Sequence, residues 1–229
     1  MRLSLEQCLW RPLRIILGSP CLLCHQSADG AAICDGCTTT LRQSPWGVTS
    51  LAIADHRIPV LFRESYGGLL SDAVIRAKYL GDWGHARWLG QYLGQLPRPW
   101  LGDPPTVIPV PLSDQRLADR GYNQSIVIAR QAAKAWGLSM APRWLRKTKR
   151  TARQAGLYRD ERLANLVGSF RASEDVAGRR CLLIDDIMTT GSTLREASRA
   201  IHTSGGTVIA AAVIARVKSP PRAFRHQFL

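Results

Sequence analysis

No uninterrupted apolar run in these 229 residues approaches the roughly 20 needed to cross a bilayer, so no segment reads as a membrane-spanning helix. Acidic residues are scarce, 17 against 31 Lys and Arg, which leaves a formal charge of +14. That excludes a chain that works through an acidic surface. It points to polyanionic partners, either nucleic acid or phosphorylated small molecules, although a basic protein with no nucleic-acid role carries the same balance. Glycine, proline and charged residues stay within ordinary limits, so extensive disorder is not expected. Internal repeats are lacking, which argues against a solenoid or propeller. What remains, 45% hydrophobic residues, is enough core for one ordinary domain with an appendage.

An exported leader is not expected either. The first 18 residues, MRLSLEQCLWRPLRIILG, place Glu6, Arg11 and Arg14 inside the apolar pattern, so a clean hydrophobic segment never forms. The stretch reads as a short amphipathic helix packed on the domain. The expected location is therefore cytoplasmic, and the six cysteines read as free thiols or metal ligands rather than disulfides.

Four of those cysteines cluster. Cys21 and Cys24 form one C-x-x-C knuckle, and Cys34 and Cys37 form another, separated by the loop HQSADGAAI. Two such knuckles can close a tetrahedral site of four thiolates around Zn2+. The loop has almost no core of its own, so a metal would supply much of its stability, and four closed ligands leave no open position for catalysis. Redox C-x-x-C pairs or unrelated thiols are the alternatives. Cys8 and Cys181 lie in apolar runs and read as core residues. Pro45 ends this module and divides the chain into 1–45, an N-terminal helix and zinc module, and 46–229, the main domain.

The stretch that organises the main domain is RRCLLIDDIMTTGST, residues 179–193. Its apolar run over 180–184 reads as a buried parallel strand that stops at Asp185 and Asp186. Thr189, Thr190, Gly191, Ser192 and Thr193 follow as a hydroxyl-rich turn that opens a helix. Open α/β sheets bind ligands at such strand ends. Hydroxyls and free N–H groups at a helix start can surround a phosphate. The carboxylates can accept hydrogen bonds from a pair of sugar hydroxyls, directly or around a divalent cation. A plain capping turn with two solvated acids leaves the buried strand ending in Asp-Asp unexplained.

The remaining chain reads as strands over 47–54 and 57–66, helices over 68–80 and 84–95, a linker over 97–105 and a short strand over 107–111. A basic loop then carries Arg116 and Arg120 into a helix over 123–136. Those arginines could grip a pyrophosphate by forked hydrogen bonds or sit solvated on the surface. Trp83 and Trp88 could stack bases, but aromatic residues at helical spacing are more often core. Eight basic residues against two acids fill 143–162. That stretch, with Lys147, Lys149, Arg150 and Arg153, reads as a mobile loop over 145–157 and a helix over 158–167. It could close over a pyrophosphate, track a nucleic-acid backbone, or form a solvated face. A helix over 192–204 and a strand over 207–215 complete a parallel βαβ unit. The tail from Arg216 is basic and reads as frayed.

The run at 182–193 closely resembles the signature by which type I phosphoribosyltransferases hold phosphoribosyl pyrophosphate (PRPP). The resemblance assigns the ribose to Asp185 and Asp186 and the 5′-phosphate to Thr189, Thr190, Gly191, Ser192 and Thr193. Together with the four cysteines, AKYLGD at 77–82, IPVPL…R…RGYNQS at 108–125 and R-T-x-x-Q-x-x-L at 150–157, it resembles the ComF/GntX family of competence-associated proteins. The family more often carries proline or small residues where this chain has Ala152-Arg153. The resemblance implies a type I phosphoribosyltransferase-like α/β fold, a parallel sheet flanked by helices, with a small N-terminal zinc module. It also implies Mg2+ with PRPP as ligand. A role in natural transformation is implied too: handling incoming single-stranded DNA at the inner face of the cytoplasmic membrane beside a helicase-type partner.

Three functions follow as expectations. One is a PRPP-binding protein of DNA uptake. The second is an active transferase passing ribose 5-phosphate to an amine or nucleobase and releasing pyrophosphate. The third is a PRPP-sensing regulator. Fold alone does not choose among them.

Overall fold

The computed structural model describes residues 20–43, 46–53, 56–65, 69–148 and 168–217. The chain divides into two compact units, Met1–Pro45 and Trp46–Leu229. The expected N-terminal helix, the expected helix over 158–167 and the tail beyond 217 lie outside the described residues, as do Cys8, Lys149, Arg150 and Arg153.

The described residues of the small unit form a tight loop followed by a helix, α1 (Asp35–Gln43). Backbone bonds fold the loop back on itself, Cys21 N–H to Gln26 O at 2.7 Å and Leu22 N–H to Ala32 O at 3.0 Å. His25 and Asp29 take left-handed φ angles of 63° and 45° to make those turns. Cys37 and Leu41, four residues apart in α1, share its buried face.

The large unit opens with a hairpin, β1 (Gly47–Ile53) and β2 (His56–Ser65), followed by α2 (Leu70–Tyr79) and α3 (Trp83–Leu93). Then come β3 (Thr106–Pro109), α4 (Asp114–Arg120), α5 (Gln124–Trp136) and a ribbon of β4 (Leu145–Lys147) with β5 (Phe170–Ala172). The chain continues through β6 (Arg180–Met188), α6 (Ser192–Thr203) and β7 (Thr207–Arg216). The five-stranded sheet runs β1-β2-β7-β6-β3, parallel from β2 to β3, with β1 antiparallel at its edge. Helices α2, α3 and α5 cover one face, and α6 with the β4–β5 ribbon covers the other. On the α6 face Leu183, Val213, Leu194, Ala197 and Ile201 share one apolar core with Leu51 and Val60. The opposite face buries Leu182, Ile184 and Ile214 completely. Helices α3 and α5 approach so closely that a Cβ on Gly90 would stand 2.5 Å from the Ile128 carbonyl oxygen.

Three local expectations need correction. Strand β6 does not stop before the acids. It runs to Met188, because β7 supplies a parallel ladder as far as Arg216, with Asp185 opposite Val213 and Met188 opposite Arg216. The segment with Arg116 and Arg120 is a helix rather than a loop. Ser113 Oγ accepts from the Arg116 N–H at its start, and Gly121, with φ of 72°, ends it. Lys147 lies in a strand, paired with Phe170, rather than in a mobile loop.

Candidate functional site

The acids lie near the carboxyl end of β6, between β7 and β3. Asp186 shares one face of the strand with Leu182 and Ile184 and is 4% exposed. Its Oδ1 lies 2.9 Å from Lys78 Nζ in α2, and its Oδ2 accepts from Gln124 Nε2 at 2.6 Å. Asp185 is half-buried. Its Oδ1 accepts from Ser125 Oγ at 3.0 Å and from the Asp186 N–H at 2.9 Å, which leaves Oδ2 outside both bonds.

Helix α5 presents Gln124 and Ser125 to the acids because Asn123 fixes where it starts. The Asn123 Oδ1 accepts from the Ser125 N–H at 2.9 Å, and its Nδ2 donates to the Val110 carbonyl at 3.0 Å. The cap therefore also ties α5 to the chain leaving β3. Gln124 accepts from Arg120 Nη1 at 3.1 Å, and the Arg120 guanidinium lies over the Tyr79 ring, 5.1 Å from its centroid. Tyr122 donates its hydroxyl to the Ala77 carbonyl and stacks on Trp83. The AKYLGD and RGYNQ runs thus pack against each other beside the acids. Trp83 is 57% exposed, whereas Trp88 is core.

Charge is concentrated here. Burial, then the charge of Asp186, pushes the Asp185 carboxyl up to about 7. Burial opposes the charged form of Lys78, but Asp186 overrides it and the ammonium is held above its ordinary value. Lys147 is drawn below its ordinary value by burial and by the neighbouring Arg116 charge, while Asp185 acts in the opposite sense. Lys147 thus lies between the charges of Arg116 and Asp185, and Arg116 itself is exposed.

The hydroxyl-rich loop follows directly. Gly191 takes φ of 75° at the start of α6, and a Cβ there would stand 2.5 Å from Leu51 Cδ1. Thr190 Oγ1 donates to Ser192 Oγ at 3.0 Å and accepts from the Ser192 N–H at 3.4 Å. A small cavity of about 20 Å³ is lined by Asp185, Met188, Thr189, Gly191, Ser192 and Thr193. It holds about one water, so a phosphate would have to replace the loop's internal hydroxyl bonds with its own. A larger cleft of about 380 Å³, beside Trp100, Leu101 and Arg180, lies at the start of β6 and is remote from this chemistry.

The structure thus brings together Asp185, Asp186, Thr189, Thr190, Gly191, Ser192 and Thr193 on one strand end. Arg120 is linked to Asp186 through Gln124, Lys147 feels the charge of Asp185, and Arg116 is a neighbour of Lys147. Sequence reasoning gave no role to Lys78, Gln124 and Ser125. Their signal was membership of the AKYLGD and RGYNQS runs, which only the fold shows converging.

In the small unit, the Sγ atoms of Cys21, Cys24, Cys34 and Cys37 all lie within 4.8 Å of one another, with Cys24 and Cys34 at 3.6 Å. A tetrahedron with metal–sulfur bonds of about 2.3 Å has sulfur–sulfur edges near 3.8 Å, so four thiolates in this arrangement could hold a metal ion. Burial, then the neighbouring thiols, raises Cys37. At Cys21, backbone hydrogen bonds involving Cys24, Cys34 and Leu23 outweigh burial and draw the thiol down to about 6. Among the described residues no helix is long and apolar enough to cross a membrane.

A family model for the phosphoribosyl transferase domain matches residues 108–227. Competence protein F of Haemophilus influenzae is 34% identical over 105 residues, covering 44% of this chain and 46% of that protein. DNA utilization protein YhgH of Escherichia coli K12 is 30% identical over 106 residues, covering 46% and 47%. A ribose-phosphate pyrophosphokinase of Mycobacterium bovis is 43% identical over 67 residues, covering 29% and 21%. The aligned region thus spans about half the length of the first two relatives.

Proposed function

This chain belongs to the phosphoribosyl transferase domain family, and from that premise we propose that it binds PRPP at the end of β6 and acts in DNA uptake. Its ComF/GntX resemblance agrees with the Haemophilus and Escherichia relatives. The single observation that carries the ligand is a half-buried carboxylate, Asp185, beside a hydroxyl-rich loop at a helix start, with Arg120 and Lys147 nearby.

In this reading the ribose hydroxyls donate to the acidic end of β6. The 5′-phosphate takes the hydroxyls of Thr189, Thr190, Ser192 and Thr193 and the N–H groups that open α6. Arg116, Arg120 and Lys147 face the pyrophosphate, joined in sequence by Lys149, Arg150 and Arg153. Magnesium bound with PRPP would neutralise the diphosphate as it leaves, and the carboxylate oxygen Asp185 Oδ2, outside both hydrogen bonds of that residue, suits a hard cation. If transfer follows, the chain's part is positioning and electrostatics: Asp185, once ionised above its raised value of about 7, favours positive charge developing on the sugar, and the cations favour the leaving group. Cys21, Cys24, Cys34 and Cys37 would hold a structural zinc, with no open position for chemistry.

The reading is tested by calorimetry of PRPP with magnesium on the wild type and on the combined Asp185→Asn, Asp186→Asn variant. Binding by the wild type and its loss in the variant is the expected result; equal affinity would sink the site assignment. Single-stranded DNA is the second proposed partner, favoured by the charge of +14. If added DNA changes the PRPP affinity, the two ligands are coupled, and by linkage PRPP must change the DNA affinity by the same factor.

A further inference from the structure

The two acids are not equivalent. Both oxygens of Asp186 are engaged, Oδ1 by the Lys78 ammonium and Oδ2 by the Gln124 amide, at 2.9 and 2.6 Å. Lys78 comes from α2 and Gln124 from the start of α5, so this one carboxylate joins both helices to β6. Gln124 is 2% exposed, and its amide oxygen accepts from Arg120, whose other neighbour is the ring of Tyr79, the residue after Lys78. The network is a closed loop: Lys78, Asp186, Gln124, Arg120, Tyr79. Asp185 is different. It is half-buried, it lines the cavity shared with Thr189 and Ser192, and Oδ2 lies outside both of its hydrogen bonds.

We propose that the acidic pair divides its work: Asp185 meets the ribose, whereas Asp186, clamped by Lys78 and Gln124, is a positioning residue that holds β6 and Arg120 in place around it. Each Asp186 oxygen keeps a second acceptor site, but the residue is 4% exposed with Lys78 and Gln124 packed on it, so a ribose hydroxyl would have to displace one of those buried donors to reach it. Asp185 can accept through Oδ2 without breaking either existing bond. The clamp also gives Lys78 a place in the site. It sets the local charge beside Asp185 and fixes, through one glutamine, the distance between the sugar end and the pyrophosphate end of the ligand.

This inference rests on the phosphoribosyl reading above, and its test separates the two. PRPP affinity by calorimetry and melting temperature are measured for wild type, Asp185→Asn, Asp186→Asn, Lys78→Arg and the double variant Lys78→Met with Asp186→Asn. Asp185→Asn should lose affinity by about tenfold or more, the scale of lost charge-assisted hydrogen bonds, with no fall in melting temperature. Asp186→Asn should do the reverse, melting lower because Lys78 loses its counter-charge while losing less affinity. The double variant removes both charges, so it should melt higher than Asp186→Asn and keep more affinity than Asp185→Asn, the non-additivity expected of coupled neighbours. Lys78→Arg, which keeps the charge, should retain binding. Asp186→Asn and the double variant losing PRPP as completely as Asp185→Asn, while melting like wild type, would make Asp186 a ligand and overturn the inference alone. No binding by wild type would overturn the phosphoribosyl reading and this inference with it.

Discussion

Asp185 carries the sharpest expectation at the scale of single residues. Its carboxyl is pushed from an ordinary 3.8 to about 7 by burial and by Asp186. Between those values the folded chain binds a proton that the unfolded chain has released. This group's contribution to stability is therefore fully present below the unfolded value and is lost as pH rises through the folded one. Thermal melts of the ligand-free protein should fall from pH 5.5 to pH 8.5, and Asp185→Asn should flatten that fall; an unchanged slope would assign it to other groups. Gly191 supports a second expectation. Alanine there would meet a left-handed backbone and a clash with Leu51 Cδ1 together. The left-handed term costs about 1 kcal/mol, and the clash adds less if the Leu51 side chain swings aside. Gly191→Ala should lower the melting temperature and weaken phosphate binding, read by calorimetry with ribose 5-phosphate. The acids and the loop were legible because chemistry and sequence position coincide in one run. Lys78 was not, because on a helical wheel a lysine flanking an apolar stripe looks like any solvated lysine, and only the packing of α2 on β6 turns it inward.

At the scale of elements, the start of α5 bears on the site more than the length of that helix does. Asn123 caps it and ties it to Val110, and the next two residues hold the two acids. Asn123→Ala removes a cap and leaves the Val110 carbonyl without that donor, a loss of about 1–2 kcal/mol. The expected result is a lower melting temperature together with weaker PRPP binding, since Gln124 and Ser125 shift with the helix start. A stability loss with unchanged affinity would detach α5 from the site. In the small unit, if the four thiolates hold one zinc, Cys21→Ser should release about one zinc per chain and loosen the loop, because a segment with so little core would rely on a metal. Metal analysis showing no zinc in fresh wild-type protein would defeat that assignment. Helix periodicity placed α3 and α5 well, since apolar spacing is a property of the helix itself. The end of β6 escaped sequence reading because strand length is set by the neighbouring ladder, here β7, and not by where the apolar residues stop. The short helix with Arg116 and Arg120 escaped because it buries no residue, so no apolar stripe marked it; only Ser113 and Gly121 bound it.

For the whole molecule, the parallel order of β2, β7, β6 and β3 follows from the βαβ pattern, which the sequence shows in its last third. The edge hairpin of β1 and β2 is local and was legible as two strands over 47–54 and 57–66, whereas the β4–β5 ribbon depends on a pairing distant in sequence, which periodicity does not encode. Net charge was readable at once, but its distribution was not. Lys147 feels both Asp185 and Arg116, so part of the basic surplus borders the acidic strand end. A nucleic-acid backbone lying on this surface would therefore meet the cations that the proposed pyrophosphate site would use. Neutralising Lys147, Lys149 and Arg150 together should weaken single-stranded DNA binding. It should also reduce the slope of log affinity against log salt by about 0.7 for each phosphate no longer neutralised, or about 2 for all three. Lys147 is held below its ordinary value by burial and by Arg116, so its share of that change should be lost at a lower pH than an ordinary lysine's would be. Binding titrations at several salt concentrations, with and without saturating PRPP, decide the matter. A slope that falls both on neutralisation and on PRPP addition means that the two polyanions contend for the same cations. A slope unmoved by the substitutions places the DNA track elsewhere on the basic surface.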